Sequence, residues 1–280
     1  MNWADSKQIA MRVIDLTVQC AWIRDRSALF KALLNEAEDE QEANLILDAI
    51  QNFTYYTASD YEHAFSAIVE QISGAWLLKP VNTQIIAVSW DNFADSGQAV
   101  LHALKPYLAK ERLTFPLINS ATKFNSLGAS HPNIVLIDEF FGTGKTLRGR
   151  IEYIQKNWKS SESTPKIYVA FIAGMESAIP SFSPLVEDVF VHSPLKKGIT
   201  EIYTGSDLNA SIGAMSRMEA RLAPFVGIEA LPNFGYGKSE SLFGSNENIP
   251  NSTFPIFWWP EYANGSPRDR MFYRYDWTST

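Results

Sequence analysis

Two adjacent acids followed by a loop of small residues make residues 134–149, IVLIDEFFGTGKTLRG, the stretch best suited to chemistry. Backbone N–H groups in such a loop, and at the start of a helix after it, favour an anion. Carboxylates such as Asp138 and Glu139 accept hydrogen bonds from vicinal hydroxyls. The combination predicts a sugar-phosphate site, with the acids on the ribose diol and the loop on the phosphate. The loop residues are Gly142, Thr143, Gly144, Lys145 and Thr146.

A Walker phosphate loop is excluded, although the stretch contains GKT. That loop needs a glycine five positions before Gly144, where this chain has Glu139. The neighbouring Asp138 and the bulky Phe140 and Phe141 would repel and block a phosphate that the backbone must wrap closely. Because the apolar run 134–137 directly precedes the acids, we instead predict that they lie at the end of a strand before the loop.

Apolar segments surround the site, and they are continuous rather than alternating, which predicts strands buried on both faces. Helical segments separate them, so the predicted fold class is α/β, with a parallel sheet flanked by helices. The two acids then lie at the carboxyl end of the third strand, where open α/β sheets bind ligands. The predicted strands are 84–90, 112–118, 133–138, 165–174 and 188–192, and the helix after the loop is 146–158.

The chain around the sheet differs in composition on its two sides. Apolar residues at helical spacing precede it, and glycine, asparagine, proline and aromatic residues are abundant after it. We therefore expect a helical N-terminal region at 1–80, an α/β domain at 81–226, and an irregular, aromatic-rich tail or hood at 227–280.

Bulk composition narrows the function classes. The 280 residues carry a net charge of −7 without a dense Lys/Arg run, which opposes direct nucleic-acid binding. No apolar run is long enough to cross a bilayer, and the start of the chain does not resemble a secretion signal. The single cysteine, Cys20, fits a reducing compartment, so we expect a cytoplasmic protein. The four histidines are far apart, so no protein-held metal site is expected.

The opening motif resembles the signature of the type I phosphoribosyltransferase family, which has an apolar run, two acids, two or three variable residues and a small TG-x-T loop. Here Ile134–Ile137 match the run, Asp138 and Glu139 the acids, and Gly142–Thr146 the loop. The resemblance implies a type I phosphoribosyltransferase-like fold and phosphoribosyl pyrophosphate, or a nucleotide-like molecule, as ligand. It further implies a glycosyltransferase-type transfer or cleavage of a ribosyl group, with Asp138 and Glu139 as catalytic acids.

A narrower resemblance involves the helical N-terminus, DNFADSGQAVLHAL at 91–104, and two tail segments, FGYGKSESLF at 234–243 and NIPNSTFPIFWWP at 248–260. These resemble phosphoribosyltransferase-like proteins of bacterial conflict systems. The resemblance implies an effector or accessory protein of anti-phage defence, including retron-like loci. It also implies a protein partner from the same operon, with nucleic acid reached only through other subunits.

The loop after the first sheet strand departs from the family pattern. Family members grip pyrophosphate there, often with a basic residue, whereas Trp90–Gly97 contains no Lys or Arg. Ser96 and Gly97 can still offer N–H donors at a helix start. Alternatively, acids such as Asp95 can meet the pyrophosphate through Mg²⁺, the cofactor that the resemblance implies. The third alternative is a loop that does not bind pyrophosphate.

Further candidates have two interpretations each. Lys123 lies in the segment 119–131, which matches the family's mobile catalytic loop; it either balances the charge of departing pyrophosphate or is a solvated lysine. His131 and His192 are either acid/base groups or structural histidines. Four rings of the tail either stack on an acceptor or pack the tail onto the protein. These rings are Phe254, Phe257, Trp258 and Trp259.

Three functions compete on this evidence. The first is a phosphoribosyl-transferring or ribosyl-cleaving enzyme. The second is a non-catalytic sensor or adaptor that binds a nucleotide or ribose phosphate and signals to a protein partner, which the unusual pyrophosphate loop favours. The third is an interaction module without a ligand, and the intact phosphate loop argues against it.

Overall fold

A computed structural model describes residues 6–90, 95–127, 130–159 and 164–274. The chain forms two compact units. The sheet unit comprises Ala58–Leu195, and the helical unit comprises Met1–Thr57 together with Lys196–Thr280. Among the helices of the described ranges, none combines the length and apolar character needed to cross a membrane.

The regular elements alternate between helices and strands through the middle of the chain. The helices are α1 Lys7–Gln19, α2 Ala21–Asp25, α3 Ser27–Asn35, α4 Glu40–Gln51, α5 Ala58–Glu70, α6 Ser96–Ala103, α7 Lys105–Lys110, α8 Lys145–Asn157 and α9 Gly205–Ala220. The strands are β1 Thr54–Tyr56, β2 Thr83–Ala87, β3 Leu117–Ile118, β4 Asn133–Phe141, β5 Lys166–Met175, β6 Asp188–Leu195, β7 Phe225–Val226, β8 Glu229–Ala230 and β9 Phe243–Ser245. A π-helical turn lies at Gln71–Ala75, and 3-10 turns lie at Ala121–Ser126, Glu176–Ser181, Tyr236–Lys238 and Pro255–Phe257.

The sheet of the sheet unit has the order β3-β2-β4-β5-β6, and all of its strands are parallel. Its central strands are apolar on both faces because helices cover both. On one face, Ile134 and Leu136 of β4 share a buried cluster with Leu147, Ile151 and Ile154 of α8. The predicted α/β fold class, a parallel sheet flanked by helices with helices at the N-terminus, is confirmed.

Strands β2, β3, β4 and β6 differ by three or more residues at one end from the predicted ranges 84–90, 112–118, 133–138 and 188–192. The segment predicted as a strand at 112–118 pairs only at Leu117 and Ile118, next to Pro116, which cannot donate to a ladder. Conversely, β4 continues past 138, because Phe140 and Phe141 pair with Ala173 and Gly174 of β5. Asp138 and Glu139 therefore lie among the last residues of the paired part of β4 rather than beyond it.

In the helical unit, α4 and α9 are joined through a buried carboxylate. Glu42 of α4 is fully buried and accepts hydrogen bonds from Arg221 at 2.7 Å and Arg217 at 3.1 Å, both on α9 or its C-terminal end. Burial alone would raise the pKa of Glu42, but the Arg221 hydrogen bond and charge, together with the Glu38 N–H, hold that pKa below its ordinary value. Residues about 175 positions apart in sequence are thereby fixed to each other.

The aromatic tail forms part of the core of the helical unit. Trp258 and Trp259 are buried, and their indole N–H groups donate to the carbonyl oxygens of Thr253 and Ala223, both at 2.9 Å. Rings with satisfied N–H groups in a core stabilise the fold through burial. Of the two interpretations of the tail rings, packing is the one that agrees with this burial. Phe254 and Phe257 are buried in the same cluster.

The two compact units do not coincide with the ranges 1–80, 81–226 and 227–280, and that division stays a prediction. Pairing of β1 with β9 joins residues 54–56 to 243–245, so the N-terminal helices group with the tail. In contrast, α5 packs against β5 and β6 and belongs to the sheet unit. Neither the β1–β9 pairing nor the packing of α5 on the sheet has a local signal in the sequence.

Candidate functional site

The predicted phosphate loop connects the carboxyl end of β4 to the first turn of α8. Gly144 precedes this helix in a left-handed conformation, with φ 73°. A Cβ atom on Gly144 would lie 2.3 Å from the ring of Phe182, so both the backbone conformation and the space require glycine. The ring thereby fixes the turn that aims the start of α8.

The start of α8 carries exposed polar groups. Because Gly144 has no side chain, it cannot cap the helix; Thr143 Oγ1 instead accepts a long hydrogen bond, 3.4 Å, from the Lys145 N–H. Thr143, Lys145 and Thr146 are all exposed. Exposed hydroxyls, an ammonium group and the positive end of a helix dipole together suit an anion.

Asp138, on β4 before this loop, is hydrogen-bonded to the start of α6. Its Oδ1 accepts hydrogen bonds from the Ser96 hydroxyl at 2.7 Å and from the Glu139 N–H at 2.8 Å. Part of its surface is accessible, but the carboxyl group is closely surrounded by protein. This burial is the main reason why its pKa is raised to about 7, and the charges of Asp95 and Glu139 raise it further against the two hydrogen bonds. Asp138 therefore exchanges a proton near neutral pH.

Glu139 faces away from Asp138. Neighbouring residues on a strand point to opposite faces of the sheet, and the partners of the two acids differ accordingly: Asp138 is bound by α6, whereas Glu139 accepts a hydrogen bond from the Tyr61 hydroxyl of α5. Glu139 is only 5% exposed. The two acids do not converge on one point, and their joint role as a ribose grip stays a prediction.

The predicted pyrophosphate-binding groups at the start of α6 are engaged within the protein. Asp95 is the N-cap residue, and its Oδ1 accepts from the Gly97 N–H at 2.9 Å and the Gln98 N–H at 3.4 Å. The Ser96 hydroxyl donates to Asp138. A Cβ on Gly97 would lie 3.2 Å from the Val88 nitrogen, so this glycine allows α6 to approach β2. Residues 91–94, including Asp91, lie outside the described residues.

Arg150 is a residue of this site that the sequence analysis missed. From the second turn of α8, its guanidinium carbon lies 3.8 Å from the centre of the Trp90 ring. Burial lowers the pKa of Arg150, while the negative charges of Asp95 and Asp138 act in the opposite direction. The available signal was its position four residues after Thr146, which places both on one side of a helix.

The other candidates lie apart from the phosphate loop. Lys123 is exposed in the 3-10 turn at Ala121–Ser126, and Gly128 and Ala129 of its segment are outside the described residues. His131 precedes β4 and therefore lies at the amino end of that strand, opposite the acids. His192 is on β6; burial lowers its pKa, His63 lowers it further, and Asp60 acts in the opposite direction.

No group of three or more histidine, cysteine or carboxylate side chains that could hold a metal ion occurs among the described residues. Mg²⁺ commonly uses only one or two carboxylates and completes its coordination with water and substrate phosphates. Asp138 offers a carboxylate near the carboxyl end of β4, whereas Asp95 already accepts two N–H groups. The donor set therefore fits Mg²⁺ only when the ligand itself contributes oxygen atoms.

A family model described as PRTase-CE matches residues 20–278 of the chain. No curated protein matches it. Among solved structures, the hypoxanthine-guanine phosphoribosyltransferase from Schistosoma mansoni in complex with IMP aligns at 14% identity and a TM-score of 0.32, covering 49% of this chain and 61% of that one. The Helicobacter pylori xanthine-guanine-hypoxanthine phosphoribosyltransferase aligns at 17% identity and a TM-score of 0.30, covering 51% and 88%. The chain thus spans less than two thirds of the first of these proteins.

Alanine at Gly144 and alanine at Gly149 should have opposite effects on stability. Gly144→Ala combines a positive φ with a clash against Phe182, so we expect the free energy of unfolding to fall by about 3 kcal/mol. Gly149→Ala, inside α8 with nothing within 4 Å, should raise it by about 1 kcal/mol. Urea unfolding of both variants measures the difference, and equal shifts would contradict the strained turn.

Asp138→Asn should change how stability depends on pH. Because the pKa of Asp138 in the folded state, about 7, lies above that of an ordinary aspartate, this group makes stability fall as pH rises from about 4 to 7. Asparagine still accepts both hydrogen bonds and removes this dependence. The free energy of unfolding of the variant, relative to that of wild type, should therefore rise by about 1–2 kcal/mol between pH 5 and pH 8. This figure allows for the partial exposure of Asp138.

The matched control for this titration is Glu152→Gln, which removes an exposed carboxylate from α8. Its stability relative to wild type should stay constant between pH 5 and pH 8. A constant difference for Asp138→Asn as well would mean that Asp138 is ionised throughout this range.

Proposed function

The chain belongs to the PRTase-CE family, and from that premise we propose that it binds phosphoribosyl pyrophosphate, or a related ribose phosphate or nucleotide, at the carboxyl end of β4. The observation that carries this proposal is the exposed turn at 142–146, held by Gly144 against Phe182 at the start of α8. The 5-phosphate would accept hydrogen bonds from this turn and from the Thr143 and Thr146 hydroxyls. The protein is phosphoribosyltransferase-like, and the ligand and its chemistry are our inference.

Asp138 is the acid that we assign to the ribose. It lies next to the turn, on the face of β4 that α8 covers, and its pKa of about 7 lets it either donate to or accept from a hydroxyl. Glu139 is buried against Tyr61 and would act indirectly, by fixing the end of β4 to α5. In this assignment Asp138 touches the sugar, and Glu139 positions the strand.

Ribosyl transfer or cleavage is the first of two chemical roles. Departure of a pyrophosphate breaks its bond to the anomeric carbon and leaves positive charge there. An acceptor nucleophile, or water in the case of cleavage, then forms the new bond to this carbon and gives up its proton. Holding the sugar at both ends contributes through positioning. Mg²⁺ bound together with pyrophosphate would supply charge neutralisation of the leaving group. The chain's contribution is the phosphate turn and the carboxylate of Asp138.

A non-catalytic sensor or adaptor is the second role, and a specific observation favours it. The N–H groups at the start of α6 already bind Asp95, and the Ser96 hydroxyl already binds Asp138. A pyrophosphate would have to displace these internal bonds. A protein with such a site can retain the ribose phosphate grip and act on a partner without turnover.

Removing both hydroxyls of the turn should weaken ligand binding. Thr143→Ala combined with Thr146→Ala should cost about 1–3 kcal/mol in the binding free energy of ribose 5-phosphate, the usual value for hydrogen bonds to a charged group. Calorimetry on the full chain in the presence of Mg²⁺ measures it. Thr164→Ala, an exposed threonine before β5, is the matched control and should bind like wild type.

Binding titrations together with an assay of pyrophosphate release separate the two roles. Pyrophosphate release from phosphoribosyl pyrophosphate by wild type, lost in Asp138→Ala, would favour the enzyme. Binding without release would favour the sensor. Absence of binding by either ligand to wild type would contradict the proposed function.

A role as effector or accessory protein in anti-phage defence, in a retron-like locus, completes the proposal. It rests on the resemblance of the N-terminal region, of residues 91–104 and of the tail segments 234–243 and 248–260 to conflict-system proteins. A protein partner from the same operon is supported by α1, where the apolar side chains of Met11, Ile14 and Val18 are exposed at helical spacing. With a net charge of −7, nucleic acid would be reached through that partner.

Cells carrying the operon should lose protection when the ligand site is removed. We expect the Thr143→Ala/Thr146→Ala double variant to restore phage plating efficiency to that of cells without the operon, at unchanged protein level, because signalling or catalysis needs the bound ligand. The Thr164→Ala control should still protect. Full protection by the double variant, or elution of the chain always alone from gel filtration with its operon products, would count against this role.

A further inference from the structure

Arg150 has an arrangement that packing alone does not explain. Its guanidinium carbon lies 3.8 Å from the centre of the Trp90 ring, and Trp90 is 46% exposed. The Nε atom is buried and has no hydrogen-bond partner within the described parts of the chain. A buried donor without a partner is costly. An incoming acceptor would remove that cost.

The side chain of Arg150 is directed towards the carboxyl end of β4, where we propose that the ligand binds. Side chains on a helix tilt towards its N-terminus, and the N-terminus of α8 is the end that meets the phosphate turn. Arg150 lies five residues after Lys145, about 8 Å along the helix axis. A ribose ring with charged substituents at C1 and C5 can span a separation of this size.

Two carboxylates act on Arg150 without neutralising it by contact. Asp95 and Asp138 lie close enough for their charges to affect it. Within the described residues, however, neither forms an ion pair with it. Asp95 accepts the N–H groups of α6 through Oδ1, and Asp138 accepts from Ser96 and from the Glu139 N–H through Oδ1. The guanidinium therefore keeps donors available beside the acids.

We propose that Arg150 binds the second charged group of the ligand, a diphosphate on C1 of the ribose, while the turn at 142–146 holds the 5-phosphate. This inference rests on the proposed function and deepens it, because it assigns a residue to the end of the ligand that the start of α6 could bind only by giving up its internal hydrogen bonds. Trp90 fixes the plane of the guanidinium, and a planar fork of donors matches phosphate oxygens in pairs.

The proposal predicts a selective loss of affinity. In Arg150→Gln, affinity for phosphoribosyl pyrophosphate with Mg²⁺ should fall tenfold to a hundredfold, roughly the effect of losing hydrogen bonds to a charged group. Affinity for ribose 5-phosphate should stay within about threefold, because the turn and Asp138 are untouched. Lys156→Gln, an exposed cation at the far end of α8, is the matched control and should bind both ligands like wild type.

Arg150→Lys is the second variant, which keeps the charge but loses the planar fork. We expect its affinity for phosphoribosyl pyrophosphate to fall less than that of Arg150→Gln, with affinity for ribose 5-phosphate again nearly unchanged. If Arg150→Gln does not fold, Arg150→Lys alone tests the proposal. Thermal unfolding of each variant checks folding before the titrations.

Three outcomes would overturn the assignment. The first is an equal loss of affinity for both ligands in the Arg150 variants, which would indicate a structural role for Arg150. The second is unchanged affinity for phosphoribosyl pyrophosphate in both arginine variants. The third is wild-type protein that binds ribose 5-phosphate as tightly as phosphoribosyl pyrophosphate, which leaves the proposed function standing and removes only the role of Arg150. Wild-type protein that binds neither ligand would remove both.

Discussion

The period of two along β4 is the constraint on which the site depends. This strand is buried on both faces, so each of its residues has an assigned side, and the ladder with β5 continues through Phe141. Adjacent acids at its end must therefore point to opposite faces. Asp138 is available to the turn and to α6, while Glu139 is committed to Tyr61.

The extended ladder also determines how the phosphate turn is built. Because β4 remains paired as far as Gly174 of β5, only three residues connect it to α8. So short a connection needs the left-handed conformation of Gly144, and Phe182 fills the space that a side chain would occupy. Close packing of Phe141 against Gly174, where a Cβ would lie 2.6 Å from the phenylalanine Cβ, fixes the other end of the connection.

Sequence patterns predicted the parts of this arrangement that depend on local chemistry. Continuous apolar segments indicated a parallel sheet, and the GTGKT loop indicated a helix start, because burial on both faces and the N-terminal dipole leave signals within a few residues. The opposite directions of Asp138 and Glu139 depend on where pairing with β5 ends, and the capping of α6 by Asp95 depends on exact backbone geometry. Arg150 was missed because its significance comes from Trp90, 60 residues earlier in the chain and on a different element. The grouping of the N-terminal helices with the tail likewise depends on β1–β9 pairing across nearly 190 residues.

The charge balance at the end of the sheet is compatible with the proposal that a site rich in acids binds a phosphate. With its pKa near 7, Asp138 is partly protonated at neutral pH, which reduces the repulsion that an arriving anion meets. An anion held beside it favours the protonated form further, so binding and proton uptake are linked at this carboxyl group. Asp95 cannot respond in the same way, since it accepts two N–H groups of α6 and thereby neutralises a helix start instead. In the proposed arrangement, Arg150 would contribute a fixed positive charge, whereas the proton on Asp138 is present only below its pKa. Asp95, Asp138 and Arg150 would then act together on the charge of a bound ligand.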